Sequence, residues 1–337
     1  MLRLLGLLIT VLTAIVVAIL TWPQFFRLER TFPIAQIVSL RAVTILLLTA
    51  AGVLLLLLCL ARPLRAFAGT MAAIVFIGAA VGGGILFSRG LGAGGLPETT
   101  DASVRVMTWN TAGAAADADT IARTAVAMQA DIVSLPETTE EVGVAVAVAM
   151  RELGAPMWVH NENYEGWDAN WTSLLISPDL GDYAVVESTV DGTTNTSEVP
   201  SVVAMPVGGE GPIVVAVHAV APRAAYMDEW RSDLQWLADQ CATENVIMAG
   251  DFNATLDHMA HLGVAGADLG RCHDGSARTG TGGVGTWSTS VPSLLGTPID
   301  HVMSTSGWVA TGSVILTSLD DSGSDHRPLV VQLEPAA

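Results

Sequence analysis

Three long stretches of this chain carry no charge, and arginines mark their edges. Residues 4–26 lie between Arg3 and Arg27, 42–61 between Arg41 and Arg62, and 66–88 between Arg65 and Arg89. At about 1.5 Å per residue, each is long enough as a helix to cross roughly 30 Å of hydrocarbon. A cleaved signal peptide is the competing reading of the first run. Two more such runs follow, however, and no small-x-small cleavage pattern lies near Thr21–Pro23. Three spans are therefore expected. Trp22, Phe25, Phe26 and Phe32 fall where an aromatic belt would form. Gly78 and Gly82, four residues apart, permit close helix contact in the third span. No acid, His or Lys lies inside a span, so a channel or proton relay lacks its usual residues and the segment reads as an anchor. With the N-terminus inside, Arg3, Arg62 and Arg65 are inside, while Arg27, Arg30, Arg41 and Arg89 are outside. Three against four chooses no orientation.

Beyond the spans the charge changes sign. Residues 1–96 hold seven Arg and one acid (Glu29), a balance of +6; residues 97–337 hold eight Arg and 32 acids, a balance of −24, and the two sum to −18. There is no lysine. An apolar content of 51% excludes a disordered chain, and three cysteines exclude a disulfide scaffold. The organisation expected is an anchor at 1–88, a Gly/Thr/Ser-rich linker at 89–103, and one large domain at 104–337. Cys59 lies in an apolar run, leaving Cys241 and Cys272 as a possible pair or two free thiols.

In the acidic part, short apolar runs alternate with turns and a few helical stretches. Val104–Trp109, Asp131–Leu135, Ser173–Ser177, Val199–Val207, Pro212–Val220, Asn245–Ala249, Ile299–Ser304, Gly312–Leu316 and Leu329–Leu333 read as strands. Ala118–Gln129, Glu140–Leu153 and Asp228–Gln240 read as helices. Many strands with few helices between them indicate an α+β fold. Polar residues fall at the strand ends, where loops can converge on one site. Asn110 closes VMTWN, Glu137 closes DIVSLPE, and His218 closes VVAVH. Asp251 and Asn253 close VIMAGDFN, Asp300 stands in TPIDH, and Asp325 and His326 stand in SDHRP. Singly, an Asp or Asn after a strand is more often a turn former or cap.

Six such fragments in this order, WN, PE, H, GDFN, IDH and SDH, resemble the endonuclease/exonuclease/phosphatase superfamily from about Val104 to Leu333. The resemblance implies a four-layer α/β/β/α (DNase I-like) sandwich and a divalent-metal-dependent phosphoesterase. It makes Glu137 the main ligand of Mg²⁺ or Mn²⁺, with Asn110 and Asp325 beside it, in keeping with the preference of hard cations for oxygen. It makes Asp251 the base for water and Asn253 a hydrogen-bond donor to the phosphoryl group. His326 becomes an acid/base or charge stabiliser partnered by Asp300, and His218 a second phosphate contact. Pro136 stands where glutamine is usual and Pro298 where arginine often stands. Neither is a ligand position, so both bear on substrate choice more than on activity.

Three spans ahead of this domain resemble the VanJ-type actinobacterial branch. That likeness implies a multi-pass cell-membrane protein with an extracytoplasmic domain and a polyprenyl-phosphate or pyrophosphate substrate. Its partners would be the lipid bilayer and a lipid-linked phosphate ester. Nucleic acid fits less well, because its binders set Lys and Arg against phosphates; a DNase I-like nuclease and a non-catalytic scaffold are the rival readings. His258-Met-Ala-His261 and Cys272-His273-Asp274 have ligand-type residues but lie in a Gly-rich stretch. Gly280–Gly285 lacks the strand–turn–helix context of a phosphate loop. Trp287 suits core or substrate contact equally.

Overall fold

The computed structural model describes residues 2–164, 166–186 and 194–336, and the chain divides into two compact units, Met1–Ser88 and Arg89–Ala337. The first unit contains α1 (Leu2–Thr21), the short α2 (Ile34–Ser39), α3 (Arg41–Leu58) and α4 (Arg65–Ser88). Among the described residues, α1, α3 and α4 are long and apolar enough to cross a membrane, with mean hydropathy of 2.8, 2.4 and 2.1 over their windows. Helix α4 packs against both others, and glycines make that possible. A Cβ on Gly78 would overlap Val17 of α1, and one on Gly82 would press on Ile45 of α3. Arg41 is buried and donates to the Thr21 carbonyl (3.0 Å), satisfying one of the acceptors that the end of α1 leaves open.

The second unit runs β1 (Gly94–Gly95), β2 (Val104–Thr108), α5 (Ala118–Ala127), β3 (Ile132–Pro136), α6 (Glu140–Glu152), β4 (Trp158–Asn163) and β5 (Trp171–Ile176). It continues through β6 (Tyr183–Val185), β7 (Val202–Pro206), β8 (Ile213–His218), α7 (Met227–Gln240), β9 (Val246–Asp251) and α8 (Leu256–Met259). The last elements are β10 (Cys272–Asp274), α9 (Gly275–Arg278), β11 (Asp300–Thr305), β12 (Trp308–Ile315) and β13 (Leu329–Pro335). Seven strands form one sheet in the order β1-β12-β13-β2-β3-β5-β4, and six form the other in the order β10-β11-β9-β8-β7-β6.

Strand alternation explains the layers. Val104, Val106, Ile132 and Leu174 of the first sheet share a core with Val202, Val214, Ile247 and Val302 of the second. Met107, Val133, Leu135 and Leu175 turn the other way and pack against Ile121, Ala122 and Ala125 of α5 and Val146 and Met150 of α6. With both faces covered, these strands are mostly apolar, and the exception in β3, Ser134, is buried and donates to the Ala249 carbonyl (2.7 Å). The result is the α+β sandwich of two facing sheets with helices outside. Burying apolar surface at about 25 cal/mol per Å² is what holds the sheets together.

Two expectations change. The edge strand β4 was not expected, because Trp158–Asn163 is half-exposed and polar and lacks a clear period of two. The stretch read as a free linker is packed along the domain. Gly94 and Gly95 pair with Val314 and Ser313, Gly92 donates to the Gly280 carbonyl (3.1 Å), and Arg105 donates to that of Pro97 (2.7 Å). Backbone reaches backbone because side chains are missing: a Cβ on Gly90, at φ +86°, would strike Gly280. Arg89 makes two 2.8 Å bonds to the carboxylate of Asp257, which is 2% exposed. Cys241 and Cys272 form a disulfide with Cα atoms 5.7 Å apart.

Candidate active site

Strand register builds the site before any side chain is considered. In the second sheet β8 and β9 are parallel and end together, setting His218 beside Asp251, while antiparallel β11 begins with Asp300 opposite Asp251. In the first sheet β2 and β3 are also parallel, so Asn110 and Glu137 leave their strands side by side. Strand β13 runs antiparallel to β2, with Leu329 opposite Thr108, so the preceding segment bearing Asp325 and His326 arrives at the same edge.

All eight residues expected at the site meet there through contacts of 4.0 Å or less. Asn110 donates from Nδ2 to Glu137 (3.0 Å) and to Asp251 (3.0 Å). Glu137 lies 3.9 Å from His218 Nε2. Asp251 accepts from the Asn253 backbone (2.8 Å) and side chain (3.2 Å). His326 Nε2 lies 3.8 Å from Asp251 and 4.0 Å from Asp325, and its Nδ1 is 2.9 Å from Asp300. In this orientation the Asn110 amide bridges two carboxylates, while its oxygen accepts from Ala112 N–H (2.9 Å).

Two of these residues hold left-handed backbone, Glu137 at φ +54° and Asn253 at φ +46°. For a non-glycine residue that costs about 1 kcal/mol or more. The Glu137 carbonyl is held by Ala114 N–H (3.0 Å) and the Thr111 hydroxyl (2.9 Å); that of Asn253 is held by the Trp230 indole (3.1 Å). Support residues that the sequence reading passed over sit just behind. Trp109, fully buried, donates to the His326 carbonyl (2.9 Å), and Ser324 donates to that of Asn110 (2.6 Å). Thr286 accepts from Asp300 N–H (3.1 Å). His301 bonds through Nδ1 to Asp274 (2.7 Å) and through Nε2 to the Ala254 carbonyl (2.9 Å), fixing the loop after Asp251 from below. Ser324 and Trp109 lie inside the fragments SDH and WN and could have been noticed; nothing in the sequence marks Thr286.

Burial and charge separate the titrating groups. Burial lowers His218 to about 3, with His326 adding to the effect, so its ring is neutral. For His326 burial also works to lower, but Asp300, Asp251 and Asp325 outweigh it and raise the ring to about 10. Burial pushes the Asp251 carboxyl up, opposed by His326 and assisted by Asp300; burial likewise raises Glu137 against the Asn110 bond. The site thus holds one cationic and one neutral imidazole among carboxylates.

Asp251, Asp300 and His326 have ligand atoms within 4.8 Å of one another and could hold a metal. His326, however, is bonded to Asp300 and kept protonated, which makes it a poor ligand. The half-exposed Glu137 and the more open Asp325 offer the oxygen set that a hard divalent cation prefers. Asp300 Oδ1 is buried with no partner among the described residues, which also fits a site completed by a cation. The other candidates are structural. His258 is buried and accepts from Thr255 N–H (2.9 Å), and Cys272 is in the disulfide. Trp287 is 38% exposed and donates to Asp325 (2.9 Å), which puts it at the rim of the site.

A two-sheet sandwich whose parallel strand pairs present carboxylates, amides and histidines at one edge defines the DNase I-like class. The model of the Endonuclease/Exonuclease/phosphatase family matches residues 107–326, and the chain belongs to that family, whose members include nucleases, phosphodiesterases and phosphatases. The endonuclease/exonuclease/phosphatase of Beutenbergia cavernae is similar in structure (TM-score 0.51, 18% identity, covering 70% of this chain and 72% of that one). So are a family protein of Leptotrichia buccalis (0.52, 14%, 68% and 99%) and a humanized TDP2 of D. rerio (0.51, 15%, 69% and 100%). At these identities the likeness is one of fold. No curated protein sequence matches this chain.

Proposed function

We propose that this protein is a membrane-tethered, divalent-metal-dependent phosphohydrolase acting on a lipid-linked phosphate or pyrophosphate, of polyprenyl type, at the outer membrane surface. The observation that carries the reading is the joining, in one chain, of three span-length apolar helices to a domain bearing the eight-residue site. Three spans add nothing to the chemistry of a soluble substrate, whereas an anchored enzyme meets lipids at high effective concentration. This is the arrangement of the VanJ-type branch.

Glu137, with Asn110 and Asp325, would hold Mg²⁺ or Mn²⁺, which when bound neutralises phosphate charge and stabilises a developing oxyanion. Asp251, its carboxyl raised by burial, takes the proton of the attacking water. Asn253 orients the phosphoryl group. His326, held as a cation by Asp300, faces the negative charge of the transition state and can return a proton to the leaving oxygen. His218, neutral and buried, donates to a phosphate oxygen.

The disulfide supports an outward-facing domain, because such bonds are rare where thiols are kept reduced. Eight Arg against 32 acids beyond residue 96 weigh against a nuclease. The test is phosphate release by the purified full-length protein from polyprenyl pyrophosphate and from a water-soluble ester, with plasmid DNA as a third substrate and a chelator control. DNA cut faster than both esters overturns the proposal, as does activity that survives the chelator.

A further inference from the structure

The segment from Thr286 to Gly296 borders the site and is unusual in what it exposes. Trp287, Val291 and Leu294 are 38%, 39% and 50% exposed, and the eleven residues TWSTSVPSLLG include no charge. The segment is not loose. Arg327 is fully buried behind it, paired twice with Asp320 (2.7 and 2.8 Å), and donates to the carbonyls of Gly285 (3.2 Å), Ser288 (3.2 Å) and Val291 (2.7 Å). Thr289 N–H bonds to the Asp325 carbonyl (2.9 Å), and Gly285 N–H to that of Ser293 (2.8 Å). A chain advances at most about 3.6 Å per residue, so the Val291 backbone lies within roughly 7 Å of Thr289 and hence beside Asp325.

Apolar side chains held rigidly in water beside a phosphate site will be touched by whatever the phosphate is attached to. A nucleic acid in that place would call for cations, and the loop offers none; its serine hydroxyls at 288 and 290 bond to each other (2.7 Å), and its large exposed side chains are apolar. We propose that the 286–296 loop is the specificity element of the site and receives an apolar chain, aliphatic or prenyl, esterified to the phosphate. The chain loses its hydration against Trp287, Val291 and Leu294, and the pre-ordered loop adds little ordering cost. The inference rests on the phosphohydrolase reading and narrows it to substrates whose first carbons beyond the phosphate are apolar.

The test uses the detergent-solubilised full-length protein and its Val291→Ser/Leu294→Ser variant, neither residue being part of the reacting machinery. The substrates are alkyl pyrophosphates of one and ten carbons, both below the concentration at which they aggregate. The wild type should favour the ten-carbon ester by about tenfold or more in kcat/KM, the usual worth of a few methylenes in an apolar contact. The variant should lose that preference while keeping the one-carbon rate within about twofold. An unchanged preference overturns the inference; it is also the result expected if the loop merely rests on the bilayer. An equal fall on both substrates overturns it too, in favour of a structural role. If the wild type turns over neither ester, the phosphohydrolase reading itself fails and takes this inference with it.

Discussion

Replacing Arg89 with Gln isolates what the first residue beyond α4 does for the domain. Its guanidinium makes a bidentate pair, two bonds of 2.8 Å, with a carboxylate that is 2% exposed. Burial works to lower the Arg89 pKa, but Asp257 outweighs it, with Asp274 and Asp268 adding to the rise, so the cation is firmly held. Arg89→Gln takes from the buried Asp257 carboxylate the cation that meets both of its oxygens. Losing one partner of a buried pair costs about 3–5 kcal/mol, mostly from the stranded charge and little from the lost attraction. At about 2–4 °C per kcal/mol for a domain of this size, the midpoint of unfolding should fall by about 6–20 °C. Asp257→Asn added to Arg89→Gln removes the buried negative charge as well, so the double variant should recover roughly half of the loss or more. The assay is thermal unfolding of the full-length protein in detergent, followed by near-ultraviolet circular dichroism, which reports the tryptophan-rich domain. A shift under about 2 °C in the single variant, or a double variant no more stable than the single, would show that the pair is not what holds the 89–95 segment down.

Asp300→Asn should weaken the field that keeps His326 charged, moving the basic limb of the pH–rate profile below its wild-type position and reducing turnover. The sign follows from a raised pKa. The charged form's contribution is complete below the ordinary histidine value near 6.5 and is lost as pH rises through about 10. A profile unchanged under saturating metal would remove Asp300 from this role. Glu137→Gln should raise the metal concentration for half-maximal activity by about tenfold or more, read by titrating Mg²⁺ and Mn²⁺ and by calorimetry of metal binding alone. Replacing Cys241 and Cys272 together with Ser opens a loop with a sequence separation of 31. That should cost about 3–4 kcal/mol by chain entropy, seen as a lower unfolding midpoint that reductant then no longer shifts.

Legibility in the sequence followed burial. Strands β2, β3, β8 and β9 are covered on both faces, so each is mainly apolar, and each ends in or just before a polar residue of the site: Asn110, Glu137, His218 or Asp251. Their order along the chain carried the family resemblance that gathered them, and the parallel pairings β2–β3 and β8–β9 are what bring them to one edge. What stayed hidden depends on partners far away in sequence. Strand β4 is an edge strand with a polar pattern, so nothing local distinguishes it from a loop. Gly90, Gly94 and Gly95 read as part of a linker, yet the same missing side chains let the backbone lie against Gly280 and β12. Arg327 looked like the residue after SDH and no more; its clamp on 285–291 exists only because three carbonyls from another segment turn toward it. The carbonyl-binding role of His301 is hidden for the same reason, since Asp274 and Ala254 reach it across 27 and 47 residues.

Strand β13 is the last element of the chain, yet it lies inside its sheet, between β12 and β2. Residues 329–335 are therefore the keystone that joins β12 and β1 to β2 and the strands beyond it, and Asp325 and His326 come only a few residues before them. Unpairing β13 would therefore split the first sheet into β1-β12 on one side and β2-β3-β5-β4 on the other. Without that pairing the segment bearing Asp325 and His326 would no longer be brought to the edge where Asn110 and Glu137 leave their strands. The same seven residues close the sheet and position the site, so a break in β13 would cost both together.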